Sequence, residues 1–207
     1  MAKTSFGEEI YLRALTGKMV GELLLSEYNR VAVISPRNII CAAISAAAEA
    51  AFVAVSGGRA AHFVAEKGKI GEMMDKVKEF SPEAVVLMFG GETPIEETVE
   101  LFVETLKEMA DRALEAEIVF HVRIFAASGV EKAVKDEAIR DYLRDSILFL
   151  YTVDLDKGLL LYNALDVDED GELYVEKLEE YPVTAEHAEL LNRSLRDRTM
   201  SWKEINN

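Results

Sequence analysis

What this sequence lacks narrows its chemistry. Its single cysteine, Cys41, leaves no internal disulfide, and a chain of 207 residues needs none, because it buries about 70% of the surface its unfolded form exposes. Histidine is nearly as scarce: His62, His121 and His187 share no metal-ligand spacing. Gly-x-x-x-x-Gly-Lys-Ser/Thr, Gly-x-Gly-x-x-Gly and Gly-x-Ser-x-Gly are all missing, so no specific phosphate loop and no nucleophile elbow can be assigned. Positive charge is the minority, with 23 Lys and Arg against 38 Asp and Glu, and the net charge of -15 repels phosphate backbones. The nearest thing to a basic patch, Arg193, Arg196 and Arg198, has Glu189 and Asp197 among it, so no nucleic-acid partner is expected. Glutamine is absent while Glu, Lys and Arg abound, a thermophile-like composition.

The stretch Met1 to Glu9 turns acidic where a secretory signal needs an apolar run, so the expected location is cytoplasmic. The most membrane-like segment, Asn38 to Gly58, carries Glu49 as its only charge but is dominated by alanine, and it reads as a buried helix followed by a buried strand rather than a span. No membrane partner is expected.

With half its residues apolar, the chain has the composition of one globular domain, and its apolar pattern alternates between two periods. Residues 8–27 place Ile10, Ala14, Leu15, Met19, Leu23 and Leu24 at helical intervals, an N-terminal amphipathic helix. Val31 to Ser35 is β-branched and stops at Pro36, a first buried strand. Ile39 to Ala51 is a helix of small side chains, and Phe52 to Val55 reads as a second strand. A helix over 69–80 precedes a third strand over 84–89. Thr93 as N-cap, Pro94 at the first helical position and Glu96 form a capping-box pattern that opens a helix over about 94–115. Ile118 to Phe125 is a fourth strand, and Ser128 with Glu131 repeats the capping signal for a helix carrying Val134, Ala138, Ile139 and Tyr142.

After Ser146 the rhythm changes to three apolar runs, 147–153, 159–164 and 173–178, joined by short acidic turns, which is a β-meander. Thr184 caps a last helix over 185–198, and 201–207 reads as frayed. The expected fold class is α/β: three layers, a mostly parallel sheet with helices on both faces, and C-terminal antiparallel hairpins. The expected organisation is one domain over 1–207, made of the N-terminal helix 8–27, a parallel core 30–146, a meander 147–180 and the C-terminal helix.

In such a sheet, ligands bind outside the carboxyl ends of the strands. The loops assigned there hold Arg37, Asn38, Gly57, Gly58, Arg59, Gly90, Gly91 and Ser128, the candidate ligand-binding residues. Two arginines, glycines that admit close backbone approach and helix starts favouring negative charge together suit a small anion. The bland alternative is that glycine and serine turn the chain while the arginines balance an acidic surface.

The order of a strand (31–35), an alanine-rich helix, a strand (52–55), a long capped helix after a third strand (85–89) and terminal hairpins resembles the RecA-like ATPases, particularly their KaiC-type members, over residues 30–182. In that family the first strand leads into a Walker A loop and a later strand ends in an acid that organises magnesium. Here those places hold Ser35-Pro36-Arg37-Asn38 and Phe89-Gly90-Gly91, which supply neither the lysine and hydroxyl nor the acid. The resemblance therefore implies a degenerate P-loop protein that does not hydrolyse nucleotides.

Other chemistry-bearing residues read more plainly. Asp166, Asp168, Asp170 and Gly171 match the opening of an EF-hand loop, but its twelfth position is Lys177 and its flanks are strands, so a hairpin turn is expected and no metal. Cys41 sits among alanines and isoleucines as a small buried residue rather than a nucleophile, and His121 reads as a core or sheet-face histidine. Tyr151, Tyr162 and Tyr174 give the hairpins an apolar edge that either pairs with another chain or completes the core, and self-association is the expectation favoured. The function expected is a non-enzymatic binding or regulatory protein acting through a protein partner or its own copies, with no cofactor and no assigned catalytic residue. The alternative is an enzyme that binds a nucleotide or small anion with the loops above.

Overall fold

The structure, a computed structural model, describes residues 4–195. Its strands are β1 (Arg30–Pro36), β2 (Arg59–Ala65), β3 (Ala84–Leu87), β4 (Glu117–Phe120), β5 (Leu148–Asp154), β6 (Leu159–Val167) and β7 (Leu173–Pro182). Its α-helices are α1 (Phe6–Met19), α2 (Ile39–Ser56), α3 (Ile70–Phe80), α4 (Ile95–Asp111), α5 (Val122–Ala126), α6 (Gly129–Ala133), α7 (Glu137–Arg144) and α8 (Ala185–Leu195). The strands form one seven-stranded sheet in the order β2-β1-β3-β4-β5-β6-β7. The first five are parallel to their neighbours, and β6 and β7 are added antiparallel. This is the expected three-layer α/β architecture.

Helices cover both faces because the central strands are apolar on both. Ala32 and Ile34 of β1 face a cluster with Met73 of α3, Phe102 of α4, Val130 of α6 and Ile139 of α7. Val31 and Val33 face Leu12 of α1, Ile44 of α2 and Leu190 of α8. Continuous apolar runs, rather than alternation, are what a parallel strand buried on both sides requires.

α1 and α2 approach at two glycines. A Cβ on Gly17 would lie 2.2 Å from the Ile44 carbonyl oxygen, and one on Gly21 would lie 2.2 Å from that of Ala48. Ser5 caps α1 in a capping box with Glu8, and the helix passes at Val20–Leu24 into a wider π-helical turn, so the expected 8–27 helix starts at Phe6 and ends at Leu24.

The largest departure concerns the expected second strand. Phe52–Val55 is not a strand: α2 runs through it to Ser56, with Phe52 on the same buried face as Ile44 and Ala48. Extending a helix already nucleated by alanines adds one hydrogen bond per residue, which outweighs the weak strand preference of four residues. Gly57, at φ +68°, ends it. The true second strand is Arg59–Ala65, at the sheet edge, where a strand needs no long apolar run.

Smaller departures have local causes. The strand expected over 118–125 ends at Phe120, because His121 caps the short helix α5. The Thr93 cap does not form: Pro94 occupies the cap position, and Thr98 Oγ1 bonds back to the Pro94 carbonyl at 3.0 Å. Ser128 takes a left-handed conformation at φ 56° without a side-chain cap, and the helix expected after it breaks into α6 and α7. Asp136 caps α7, its Oδ1 accepting from Ala138 and Ile139 N–H. The meander and the Thr184 cap are as expected, the latter through a bond from His187 N–H at 3.2 Å. Arg196, Arg198 and the 201–207 tail lie outside the described residues.

Candidate functional site

β1 is flanked by β2 on one side and β3 on the other, so the chain leaves it in two directions and a crevice opens beyond the carboxyl ends of β1 and β3. Open α/β sheets bind ligands at such a switch point.

The candidate residues divide between the two ends of the sheet. Arg37, Asn38, Gly90 and Gly91 lie at the carboxyl end, after β1 and β3. Gly57, Gly58 and Arg59 lie at the amino end, because β2 starts at Arg59 instead of ending before it. Arg59 N–H donates to the Asn29 carbonyl at 2.8 Å, and its guanidinium stands 5.9 Å from the Phe80 ring centroid. One length of β2, about 20 Å, separates it from Arg37, so the two arginines do not share a site. Ser128 is exposed and turns the chain between α5 and α6.

At the carboxyl end the loops are tied together. Asn38 Oδ1 accepts from Cys41 N–H at 2.8 Å, capping α2, and its Nδ2 donates to the Gly90 carbonyl at 3.3 Å. Gly91, at φ +84°, packs so closely that a Cβ would lie 2.3 Å from Asn38 Oδ1. Asn38 and Gly91 therefore shape the crevice. Arg37 is exposed and pairs with Glu66 at 2.9 Å, and Lys69 and Arg37 together hold the Glu66 carboxyl below its ordinary range.

The residue that stands out was not among the candidates. Arg123, in α5 just beyond β4, has its Nε buried without a hydrogen-bond partner among the described residues. Burial, then the nearby charge of Arg13, lowers the affinity of its guanidinium for its proton. Its stem crosses Gly90, where a Cβ would lie 3.0 Å from Arg123 Cδ. It lines a cavity of about 300 Å³ with Glu92, Thr93, Pro94, Ile95 and Ala127, so the N-terminus of α4 opens into the same space.

Arg123 is positioned by His121. The Nδ1 of His121 accepts from Arg123 N–H at 3.0 Å, and the ring stands edge-on to Tyr151 at 5.3 Å between centroids. Burial, reinforced by Arg13 and Arg123, holds His121 well below the usual imidazole range. The imidazole is therefore neutral, with its proton on Nε2. Arg13 is answered by Glu9 at 3.2 Å; Arg123 has no such carboxylate among the described residues. Arg13 and Arg123 beside a neutral histidine have one close carboxylate, Glu9, and the exposed Glu92 on the cavity makes no ion pair with Arg123 among the described residues; an anion is what such a half-buried guanidinium accommodates.

Other clefts carry the opposite charge. A cavity of about 640 Å³ at the amino end is lined by Glu83, Glu115, Glu117, Asp141 and Asp145 without a basic residue. A groove of about 710 Å³ beside Arg37 sets Glu66, Glu97, Glu100 and Glu104 against Arg37 and Lys67. Both disfavour an anion.

Three clusters with the look of catalysis or metal binding resolve structurally. Ser35 Oγ lies 2.8 Å from His62 Nε2, and His62 Nδ1 lies 3.9 Å from Glu49 Oε1, too long for a hydrogen bond. Ser35 is buried, and Pro36 after it has no N–H to serve an oxyanion, so this grouping ties β1, β2 and α2 together. Cys41 is buried and its thiol is pushed up to about 11 by that burial, so it is no thiolate. Asp168 Oδ1 accepts from Asp170 and Glu172 N–H at 2.9 Å, which makes 166–171 a hairpin turn. Tyr151 is core, beneath His121, and Tyr162 stacks on Phe149, so of the three tyrosines only Tyr174 is exposed on β7.

Residues 9–190 match a protein family whose description is "Uncharacterized protein". A protein of the same description from Aquifex aeolicus (strain VF5) is 26% identical over 131 residues, 63% of this chain and 60% of that protein. Among solved structures, the solute-binding protein of an ABC transporter from Rhodopseudomonas palustris BisB5, in complex with 3,4-dihydroxybenzoic acid, superposes with a TM-score of 0.52 at 10% identity. The match covers 84% of this chain and 66% of that one. A second solute-binding protein from R. palustris, in complex with 4-hydroxybenzoate, gives a TM-score of 0.49 at 10% identity, over 86% of this chain and 66% of that one. The chain thus spans less than two thirds of the length of these proteins.

The fold is that of the ABC transporter solute-binding proteins, and the expected kinship with RecA-like, KaiC-type ATPases is withdrawn. That kinship rested on a strand at 52–55 that is helix, and on reading 36–38 as a degenerate phosphate loop, whereas Asn38 there simply caps α2.

Proposed function

The chain belongs to the family described as "Uncharacterized protein", and from that premise we propose that it is a non-enzymatic protein that binds a small anionic molecule at the carboxyl end of β1, β3 and β4. The observation that carries this reading is Arg123, a residue that lines a cavity and whose guanidinium has a buried, unpartnered Nε among the described residues, in a chain of net charge -15. An arginine held there without a carboxylate is costly unless an anion completes it. The N-terminus of α4 adds a second source of positive potential on the same cavity.

The fold shared with solute-binding proteins supports a binding role in outline. Among the described residues the site holds no arranged nucleophile and base: Cys41 is a protonated thiol, and His121 Nδ1 is occupied by the Arg123 amide. The cavity suits a ligand of a few heavy atoms' breadth with one carboxylate or phosphate group.

Thermal unfolding in the presence of benzoate, acetate and inorganic phosphate tests this. A ligand present at about one hundred times its dissociation constant stabilises by about 2.7 kcal/mol, enough to raise Tm by several degrees. That shift is expected for the wild type and absent in Arg123→Met. No shift with any of the three, or an equal shift in Arg123→Met, would refute the reading.

A further inference from the structure

The two edges of the sheet are built differently. β7 carries Glu176, Lys177, Glu179 and Glu180, ends on Pro182, and is offset against β6 by an irregularity at Tyr162/Asn163. Charge, proline and bulges are the devices that keep a sheet edge from accepting another strand. β2 has neither proline nor bulge, and its one charge, Arg59, stands at its first residue. It reads RAAHFVA, with no acid, lysine or proline, and its register with β1 runs unbroken from Arg59 to Ala65.

Beside this open edge lies the outward face of α2. Ile39, Ala42, Ala46, Ala50 and Val53 are exposed at helical spacing, with Val55 and, on β2, Val64 alongside. The helix has one charged residue, Glu49, which points toward His62 and leaves this outer stripe uncharged. α2 is long and apolar enough, by length and composition, to cross a membrane, but its inner residues are buried against α1 and β1. What is left to cover is one stripe and one strand edge.

Charge selects the occupant. A chain of net charge -15 repels its own copies across most of its surface, and that repulsion is weakest where no acid is exposed. The β2–α2 side meets this condition when it faces the same side of another copy. The area is also adequate: α2 and β2 present a side about 25 Å long and, with layers about 10 Å apart, about 20 Å deep. That is about 500 Å² from each copy and about 1,000 Å² in all, the least a specific interface needs.

We propose that two copies of this chain associate through β2, edge to edge and antiparallel about a two-fold axis, with α2 of one copy against α2 of the other. The two sheets then become continuous, and the small residues of α2 let the helix axes approach closely.

Sedimentation equilibrium from about 1 to 100 µM tests this on the full chain, spanning the range over which a stable dimer and a monomer separate. The wild type is expected to be a dimer. Val64→Lys places a charge at the edge and Ala46→Glu places one in the helix stripe; both positions are exposed, so both variants should keep the wild-type circular dichroism while associating at least tenfold more weakly. Tyr174→Lys, on β7, should associate as the wild type does. A monomeric wild type, a dimer indifferent to both Val64→Lys and Ala46→Glu, or a dimer broken by Tyr174→Lys would each overturn the proposal.

Discussion

The stem of Arg123 lies over Gly90, which leaves room for it only because it has no side chain: a Cβ would come within 3.0 Å of Arg123 Cδ and 3.7 Å of His121 Cε1. Gly90→Ala should therefore displace the guanidinium without unfolding the protein, because the flexible stem can yield. The expected stability loss is about 1 kcal/mol or less, while affinity for an anionic ligand falls several-fold. Calorimetric titration of the variant beside urea unfolding separates the two effects.

Gly91 is constrained for two reasons at once, its φ of +84° and the 2.3 Å approach a Cβ would make to Asn38 Oδ1. Gly91→Ala must strain the backbone and push aside the side chain that caps α2. The expected cost is about 2 kcal/mol or more in urea unfolding, larger than for Gly90→Ala although the two residues are adjacent.

Glu49 supplies a pH dependence of known sign. Burial pushes its carboxyl up to about 7 from an ordinary 4.5, and Oε1 has no hydrogen-bond partner among the described residues. The folded state therefore holds a proton that the unfolded state has released. The stabilisation this gives is fully present below pH 4.5 and is lost as pH rises through 7. Glu49→Gln, which cannot ionise, should be more stable than the wild type at pH 8 by roughly 2 to 3 kcal/mol, and the gap should close toward pH 4. Unfolding free energies of both proteins across this range provide the check.

The contact between α1 and α2 rests on Gly17 and Gly21, where an added Cβ would lie 2.2 Å from backbone oxygens of the facing helix. Backbone does not yield as a side chain does. Gly17→Ala is therefore expected to destabilise by about 2 kcal/mol or more, despite the better helix propensity of alanine, with a matching loss of Tm.

Much of this architecture was legible in the sequence because parallel strands buried on both faces announce themselves as unbroken apolar runs: Val31 to Ser35 is strand as read, and the strand expected over 84–89 is present as Ala84–Leu87. The acidic turns between the last three runs likewise mark the meander. What could not be read there was the second strand. Phe52, Val53 and Val55, β-branched or aromatic, look like a strand locally after the helix-forming run 39–51, and the tertiary fit of Phe52 on the buried face of α2 decides otherwise. That one misplacement moved Gly57, Gly58 and Arg59 to the wrong end of the sheet and lent support to a mistaken kinship. Arg123 was hidden for a related reason. It lay inside a presumed strand, and only the turn at His121 brings its stem over Gly90. The one signal available was an arginine following a histidine at the end of an apolar run, which is ambiguous without the fold.

The central claim is that Arg123 awaits an anion. Isothermal titration of benzoate and of inorganic phosphate into the wild type and into Arg123→Met, at low and at moderate salt, measures this directly. The account predicts saturable, one-to-one binding of at least one of them to the wild type, weakened tenfold or more by the substitution, a loss of about 1.4 kcal/mol or greater. Equal affinity in both proteins, or no binding to either, would contradict it.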